Sequence, residues 1–111
     1  MKKEAAIEAF AGLANEHRLA IYRLLVQAGP EGKSAGEIAN TLDLPPSSLS
    51  FHLAHLTRAG LIAQRRESRS LIYSTDFEQM NALIGFLTEN CCGGRSCSTA
   101  AKPIPAKRRR A

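Results

Sequence analysis

Apolar side chains in this chain recur mostly at three- and four-residue intervals, and the pattern is broken once by two short runs in which they crowd together. Ala6, Ala9, Phe10 and Leu13 mark the inner stripe of a first helix. Asn15 is placed to cap a second, whose inner face is Ile21, Leu24, Leu25 and Ala28 and which Gly29-Pro30 ends. Glu31-Gly32-Lys33 reads as a turn. Ser34 and Glu37 then have the S-x-x-E spacing of a capping box, opening a third helix with Ile38 and Leu42 inside. Leu44-Pro45-Pro46 breaks it. Proline is tolerated in a first helical turn, so a fourth helix can run from Pro46 to Arg58, with Leu49, Leu53 and Leu56 inside and Gly60 after its end. The two crowded runs, Leu61 to Arg66 and Ser70 to Ser74, flank Glu67-Ser68-Arg69 and predict a two-stranded hairpin. Thr75 and Glu78 repeat the capping-box spacing, and Phe77, Met80, Leu83, Ile84 and Leu87 carry a fifth helix to Asn90.

The expected fold is mainly α with a small β-hairpin, in the order α-α-α-α-β-β-α. A short helix, a tight turn and a second helix have helix-turn-helix proportions, and a basic hairpin behind them makes a winged helix-turn-helix. At 100° per residue, the fourth helix turns Ser47, Ser48, Phe51, His55 and Arg58 away from its apolar stripe, with Ser50 and His52 on the flanks. Hydroxyls and imidazoles can meet phosphates and base edges in a major groove, where a purely solvent-facing helix would more often show Glu and Lys. The plain alternative is a bundle helix with an ordinary polar face. Arg65, Arg66 and Arg69 of the hairpin can reach the DNA backbone or minor groove, or else merely solubilise an edge. The first and fifth helices are more apolar than one small core needs. They are expected to pack on their copies in a homodimer, which would place two reading helices ~34–36 Å apart on a palindromic site.

Charge and length narrow the function. A chain of 111 residues is one small domain. Its net charge of +5 comes from the end: Lys102, Lys107, Arg108, Arg109 and Arg110 hold five of the fifteen positive charges, and residues 1–101 balance ten Lys or Arg against ten Asp or Glu. A nucleic-acid surface must therefore be local, and Arg58, Arg65, Arg66 and Arg69, opposed only by Glu67, supply one. Residues 98–111 read as a disordered basic tail, either a nonspecific phosphate-binding arm or a solvated end. No run of 18 apolar residues and no signal-peptide pattern occurs, so a soluble cytoplasmic protein is expected, with no membrane partner. Neither a nucleophile with its base nor a cofactor loop appears, which argues against an enzyme and against a catalytic cofactor.

All three cysteines lie in one run, Cys91-Cys92-Gly93-Gly94-Arg95-Ser96-Cys97, without a histidine or carboxylate among them. An odd count with two adjacent does not suit a secreted disulfide framework, so thiols in a reducing compartment are expected. Thiolates select soft acceptors, and Gly93-Gly94 can fold Cys97 back onto the adjacent pair. Three thiols complete the shell of trivalent arsenic, whereas structural zinc wants four ligands. Another soft ion such as Cu(I) or Cd(II), and thiol redox sensing, remain open. His52 and His55 lie three apart on one helix, a metal-holding geometry that lacks a third ligand, and they read instead as DNA contacts or surface positions. His17 reads as structural.

Leu13 to Tyr73, above all Leu49-Ser50-Phe51-His52-Leu53, Ala59-Gly60-Leu61-Ile62 and Arg66-Glu67-Ser68-Arg69, resembles the ArsR/SmtB family of metal- and metalloid-responsive repressors. Leu87 to Cys92, with a third cysteine close behind, resembles its arsenic-responsive branch, in which the thiols follow the last helix. The resemblance implies a dimeric repressor that leaves operator DNA when Cys91, Cys92 and Cys97 bind As(III), or Sb(III), as inducer. The chain is thus expected to divide into a DNA-binding and dimerisation domain over residues 1–90, an inducer-binding segment over 91–97 and the disordered basic tail over 98–111. Gly36 to Asn40 lacks the cysteine pair that other members carry in the third helix, and the last helix lacks the Asp and His ligands of the zinc sensors. Ser68 stands where the family's wing usually has glycine.

Overall fold

The structure, a computed structural model, describes residues 1–94; Arg95, Cys97 and the basic tail lie outside the described residues. The chain runs through α1 (Lys3–Leu13), α2 (Glu16–Ala28), a 3₁₀ turn (Gly29–Glu31), β1 (Lys33–Ser34), α3 (Ala35–Leu42), α4 (Pro46–Arg58), β2 (Ile62–Glu67), β3 (Ser70–Thr75), α5 (Phe77–Thr88) and a last 3₁₀ turn (Cys91–Gly94). Three of the expected helix starts have the expected chemistry. Asn15 Oδ1 accepts from the backbone N–H of His17 (2.9 Å) and of Arg18 (3.1 Å). Ser34 Oγ accepts from Glu37 N at 3.2 Å while Glu37 Oε1 accepts from Ser34 N at 2.9 Å, a complete capping box. Pro46 opens α4, where its missing N–H costs nothing.

The fully buried side chains Ile21, Leu25, Ile38, Leu49, Leu56 and Leu61 come from α2, α3, α4 and the start of the wing, so the helix-turn-helix is built around one core. α1 joins it through Ala6, Ala9 and Gly12. A Cβ on Gly12 would sit 3.0 Å from Ala59 Cβ and 3.1 Å from Leu61 Cδ1, so glycine lets α1 lie directly on the end of α4. Arg18, buried in α2, donates from Nε to Gly12 O at 2.7 Å and from Nη2 to Ala11 O at 3.4 Å. It satisfies the Gly12 carbonyl, which the helix end leaves without a partner, adds to the Ala14 N–H that Ala11 O already accepts, and places its charge at the negative end of the α1 dipole.

Four sequence expectations change. The hairpin is part of a three-stranded antiparallel sheet in the order β1-β3-β2, because Lys33 pairs Tyr73 and Ser34 pairs Ile72; the expected turn at Glu31 to Lys33 is a 3₁₀ turn feeding that strand. Gly32 makes the join at φ 71, where a Cβ would collide with Tyr73 O and meet Ile72 Cγ2 at 2.9 Å. Asp76, not Thr75, caps α5, accepting from Gln79 N at 3.0 Å; Thr75 is still paired to Ile62 in β3 and cannot turn its hydroxyl to the helix. Phe10, read as an inner residue of the first helix, is 40% exposed, and Ala6 and Ala9 take the inner positions.

Candidate nucleic-acid interface

The expected reading face of α4 is largely in place. Ser47, Ser48, Ser50, Phe51 and Arg58 are exposed, His55 is half-buried, and Leu49, Leu53 and Leu56 point into the core. No side chain caps α4, so its first-turn N–H groups face solvent beside Ser47 and Ser48, where a phosphate oxygen could accept from them. His52 is the correction. It is 8% exposed, packs against His17 with ring centroids 5.5 Å apart, and its Nδ1 is buried without a partner. Its place on the flank of the helix wheel became an inward one because α2 lies against that flank, so its ring supports the reading helix from beneath instead of standing on the exposed face. Burial and then the charges of Arg18, His17 and His55 push its pKa down; His55 is lowered by desolvation, then by Arg18 and Arg58. Both imidazoles are therefore neutral near pH 7.

The wing divides its arginines by strand parity. Ile62 is buried against the core and Gln64 faces α4, so Arg66, two positions on, continues that face. Arg65 points to the other side. It donates from Nη1 to Pro30 O at 3.1 Å and from Nη2 to Glu31 O at 2.7 Å, and its Nε pairs with Glu67 at 2.9 Å. Arg65 thus ties the wing to the 3₁₀ turn instead of standing ready for phosphate, a change from its expected role. Arg66 and Arg69 are exposed and make no hydrogen bond or ion pair among the described residues. Ser68, at the tip, holds φ 56, a left-handed conformation that costs a serine more than a glycine.

Between α4 and the wing lies an open groove of about 340 Å³, bounded by Ser50, Ala54, Thr57 and Arg58 on the helix and by Gln64 and Tyr73 on the strands. Sequence reasoning missed Ala54, Thr57, Gln64 and Tyr73. Gln64 and Tyr73 are opposite each other in the β2–β3 register, which was readable only once the hairpin's pairing was fixed.

At the other end of the molecule, Asn90 (φ 57) turns the chain out of α5, and Cys92, Gly93 and Gly94 also hold positive φ. Cys91 is a free, exposed thiol, and its Sγ lies 3.7 Å from Cys92 Sγ. Cys92 is disulfide-bonded. Among the described residues no group of three or more His, Cys, Asp or Glu side chains gathers at one place, and the third expected ligand, Cys97, lies outside them. Also among the described residues, no helix is long and apolar enough to cross a membrane.

An exposed polar reading helix, a braced basic wing beside it and a groove between them define a winged helix-turn-helix DNA-binding regulator, not an enzyme. A helix-turn-helix domain family matches residues 13–65. The transcriptional activator HlyU of Vibrio cholerae is 34% identical over 87 residues, covering 78% of each chain. The HTH-type transcriptional regulator YgaV of Escherichia coli is 34% identical over 80% of this chain and 92% of its own. A Halobacterium salinarum protein named for an arsenical resistance operon repressor, ArsR, is 38% identical over 72 residues, 65% of this chain and 55% of its own. The solved structure of HlyU from Vibrio cholerae superposes with a TM-score of 0.64, covering 83% of this chain and 99% of that one; a structure titled reduced HlyU gives 0.63 over 80% and 90%. The chain belongs to the family of helix-turn-helix transcriptional regulators that includes HlyU and YgaV, and its winged-helix fold is that of HlyU.

Proposed function

We propose that this regulator is a homodimeric repressor that holds operator DNA through α4 and the wing and releases it when Cys91, Cys92 and Cys97 capture trivalent arsenic or antimony. The observation that carries this reading is the sulfur pair at the end of α5. Thiolate bonds to a metal of about 2.3 Å let one centre join sulfurs up to about 4.6 Å apart, and Cys91 and Cys92 stand 3.7 Å apart on an exposed turn. Cys97, five residues on, would close the three-sulfur shell. Capture requires Cys92, disulfide-bonded in this structure, to be reduced first by a thiol reductant, and each thiol must then lose its proton to bind, so capture strengthens as pH rises through the thiol pKa. The name of the Halobacterium relative accords with this chemistry.

Dimerisation is supported by the outward apolar residues of the two terminal helices. Ile7 and Phe10 on α1, and Ile84 and Leu87 on α5, are exposed in the single chain. Burying them against a second copy brings the cysteine turn, which directly follows α5, to the edge of the subunit seam. Capture there shifts the end of α5 and with it the spacing of the two reading helices. A coupling of ~1–3 kcal/mol, the usual allosteric range, weakens DNA binding 5- to 150-fold, and operator DNA must weaken arsenic binding equally.

A second reading is favoured by the disulfide at Cys92: the same thiols act as a redox switch, and oxidation rather than arsenic releases DNA. Fluorescence anisotropy of labelled promoter DNA with the reduced protein, titrated with arsenite and then with zinc and cadmium, separates the two. Release by arsenite, lost in Cys91→Ser, Cys92→Ser and Cys97→Ser proteins that still bind DNA, supports the arsenic switch. Release only on oxidation by peroxide supports the redox one, and normal release of the Cys97→Ser protein by arsenite overturns the three-sulfur site.

A further inference from the structure

We infer that Phe51 makes this regulator select thymine, by packing its ring on the C5-methyl group exposed in the major groove; the inference rests on the DNA-binding role of α4. The outermost ridge of α4 is set by geometry. With Leu49, Leu53 and Leu56 facing the core and His52 buried beside them, the opposite side of the helix carries Ser47, Phe51, Ala54 and Arg58 at spacings of four, three and four. All four are exposed. Ser47 stands at the helix start and Arg58 at its end, so the centre of the ridge, which goes deepest into a groove, is a phenyl ring and a methyl group.

That centre cannot read bases in the usual polar way. It has no guanidinium for the O6 and N7 of guanine and no carboxamide for the N6 and N7 of adenine. The apolar feature that a duplex presents in its major groove is the thymine methyl. Phe51 is 62% exposed, and its ring meets that of His52 in a T-shaped arrangement with centroids 5.7 Å apart, so most of it is open to a partner. His52, buried beneath, fixes the ring from the inner side. Such a ring left in water gains by covering an apolar group, and desolvating one methyl-sized group is worth about 4-fold in affinity. Gln64, across the groove from the helix, supplies a polar partner for a base edge next to the methyl contact.

The test uses the full-length protein and a duplex obtained by selection from a random-sequence pool. Each thymine of the selected duplex is then replaced singly by deoxyuridine, which lacks only the methyl group. Wild type is expected to lose about 4-fold at one or two positions in each half-site. Phe51→Ala is expected to bind the thymine and uracil duplexes equally at those positions, with its salt dependence unchanged, and Phe51→Leu is expected to keep most of the discrimination. Equal binding of thymine and uracil duplexes by wild type overturns the thymine reading while leaving DNA binding intact. Failure of wild type to bind any duplex removes the DNA-binding role beneath it, and the thymine reading with it.

Discussion

Removing one wing arginine at a time should separate a residue that touches DNA from one that holds the wing. Arg66 shares the face of the hairpin that looks along α4 and is unengaged among the described residues, whereas Arg65 is bonded to Pro30 O, Glu31 O and Glu67. Each phosphate that the protein no longer neutralises lowers the slope of log affinity against log salt by about 0.9. For a dimer, Arg66→Ala frees two phosphates, so the slope falls by about 1.8, and raising salt from about 50 to about 200 mM weakens binding some 12-fold less than in wild type. Its melting temperature should not move. Arg65→Ala removes a half-exposed ion pair worth about 0–1 kcal/mol and two solvent-facing hydrogen bonds of modest net value. A loss of about 1 kcal/mol lowers the melting temperature by about 4–8 °C in a domain of this size. Its affinity should fall through a loosened wing, with the salt slope unchanged. Anisotropy titrations at several salt concentrations, paired with circular dichroism melts, give both readouts. A fall in slope for Arg65→Ala equal to that for Arg66→Ala, with no change in melting, would refute the assignment and return Arg65 to the DNA surface.

Other consequences follow from the buried groups. His52 is disfavoured as a cation first by burial and then by the charge of Arg18, so its folded pKa lies below the unfolded value of about 6.5. The unfolded chain then takes up a proton that the native one refuses, and stability, complete above about pH 6.5, is lost as pH falls below it; melts at descending pH should show this, and His52→Leu should flatten the dependence. Arg18→Met should cost about 1.5–3 kcal/mol in urea unfolding, since removing this buried charged donor leaves the carbonyl of Gly12 unpaired; a loss below about 0.5 kcal/mol would contradict that role. Gly32→Ala should cost more than the ~1–3 kcal/mol of an alanine held at positive φ with ψ of about 180°, because its Cβ also meets Tyr73 O, and Gly29→Ala, in the same conformation with open space around it, should cost only that backbone amount.

How far the sequence carried the fold depended on how local each signal was. Asn15, the Ser34–Glu37 box and Pro46 bond to, or replace, groups within three residues, and each was legible and found where expected. β1 has only two residues, and its partners Tyr73 and Ile72 are some forty positions away, so no periodicity could mark it. The cap of α5 was misplaced for a similar reason, since Thr75 is claimed by its pairing with Ile62. On α4 the helical wheel located the exposed ridge correctly, but it could not show that α2 lies over the His52 flank or that Arg65 has carbonyls to hold on the 3₁₀ turn. The cysteine cluster was evident from composition alone, and the bonding of Cys92 was not.

The contact at Gly12 has a mechanical meaning. Where two helices meet through long side chains, small rotations are absorbed by rotamer changes, as by a compliant washer. Here α1 meets the end of α4 through the bare backbone of Gly12 against the methyl group of Ala59, a line of contact that holds no such washer. α1 and the reading helix therefore act as the two arms of a single stiff lever. A tilt imposed on the outer face of α1, where Ile7 and Phe10 look away from the core, is passed through this contact to the C-terminal end of α4.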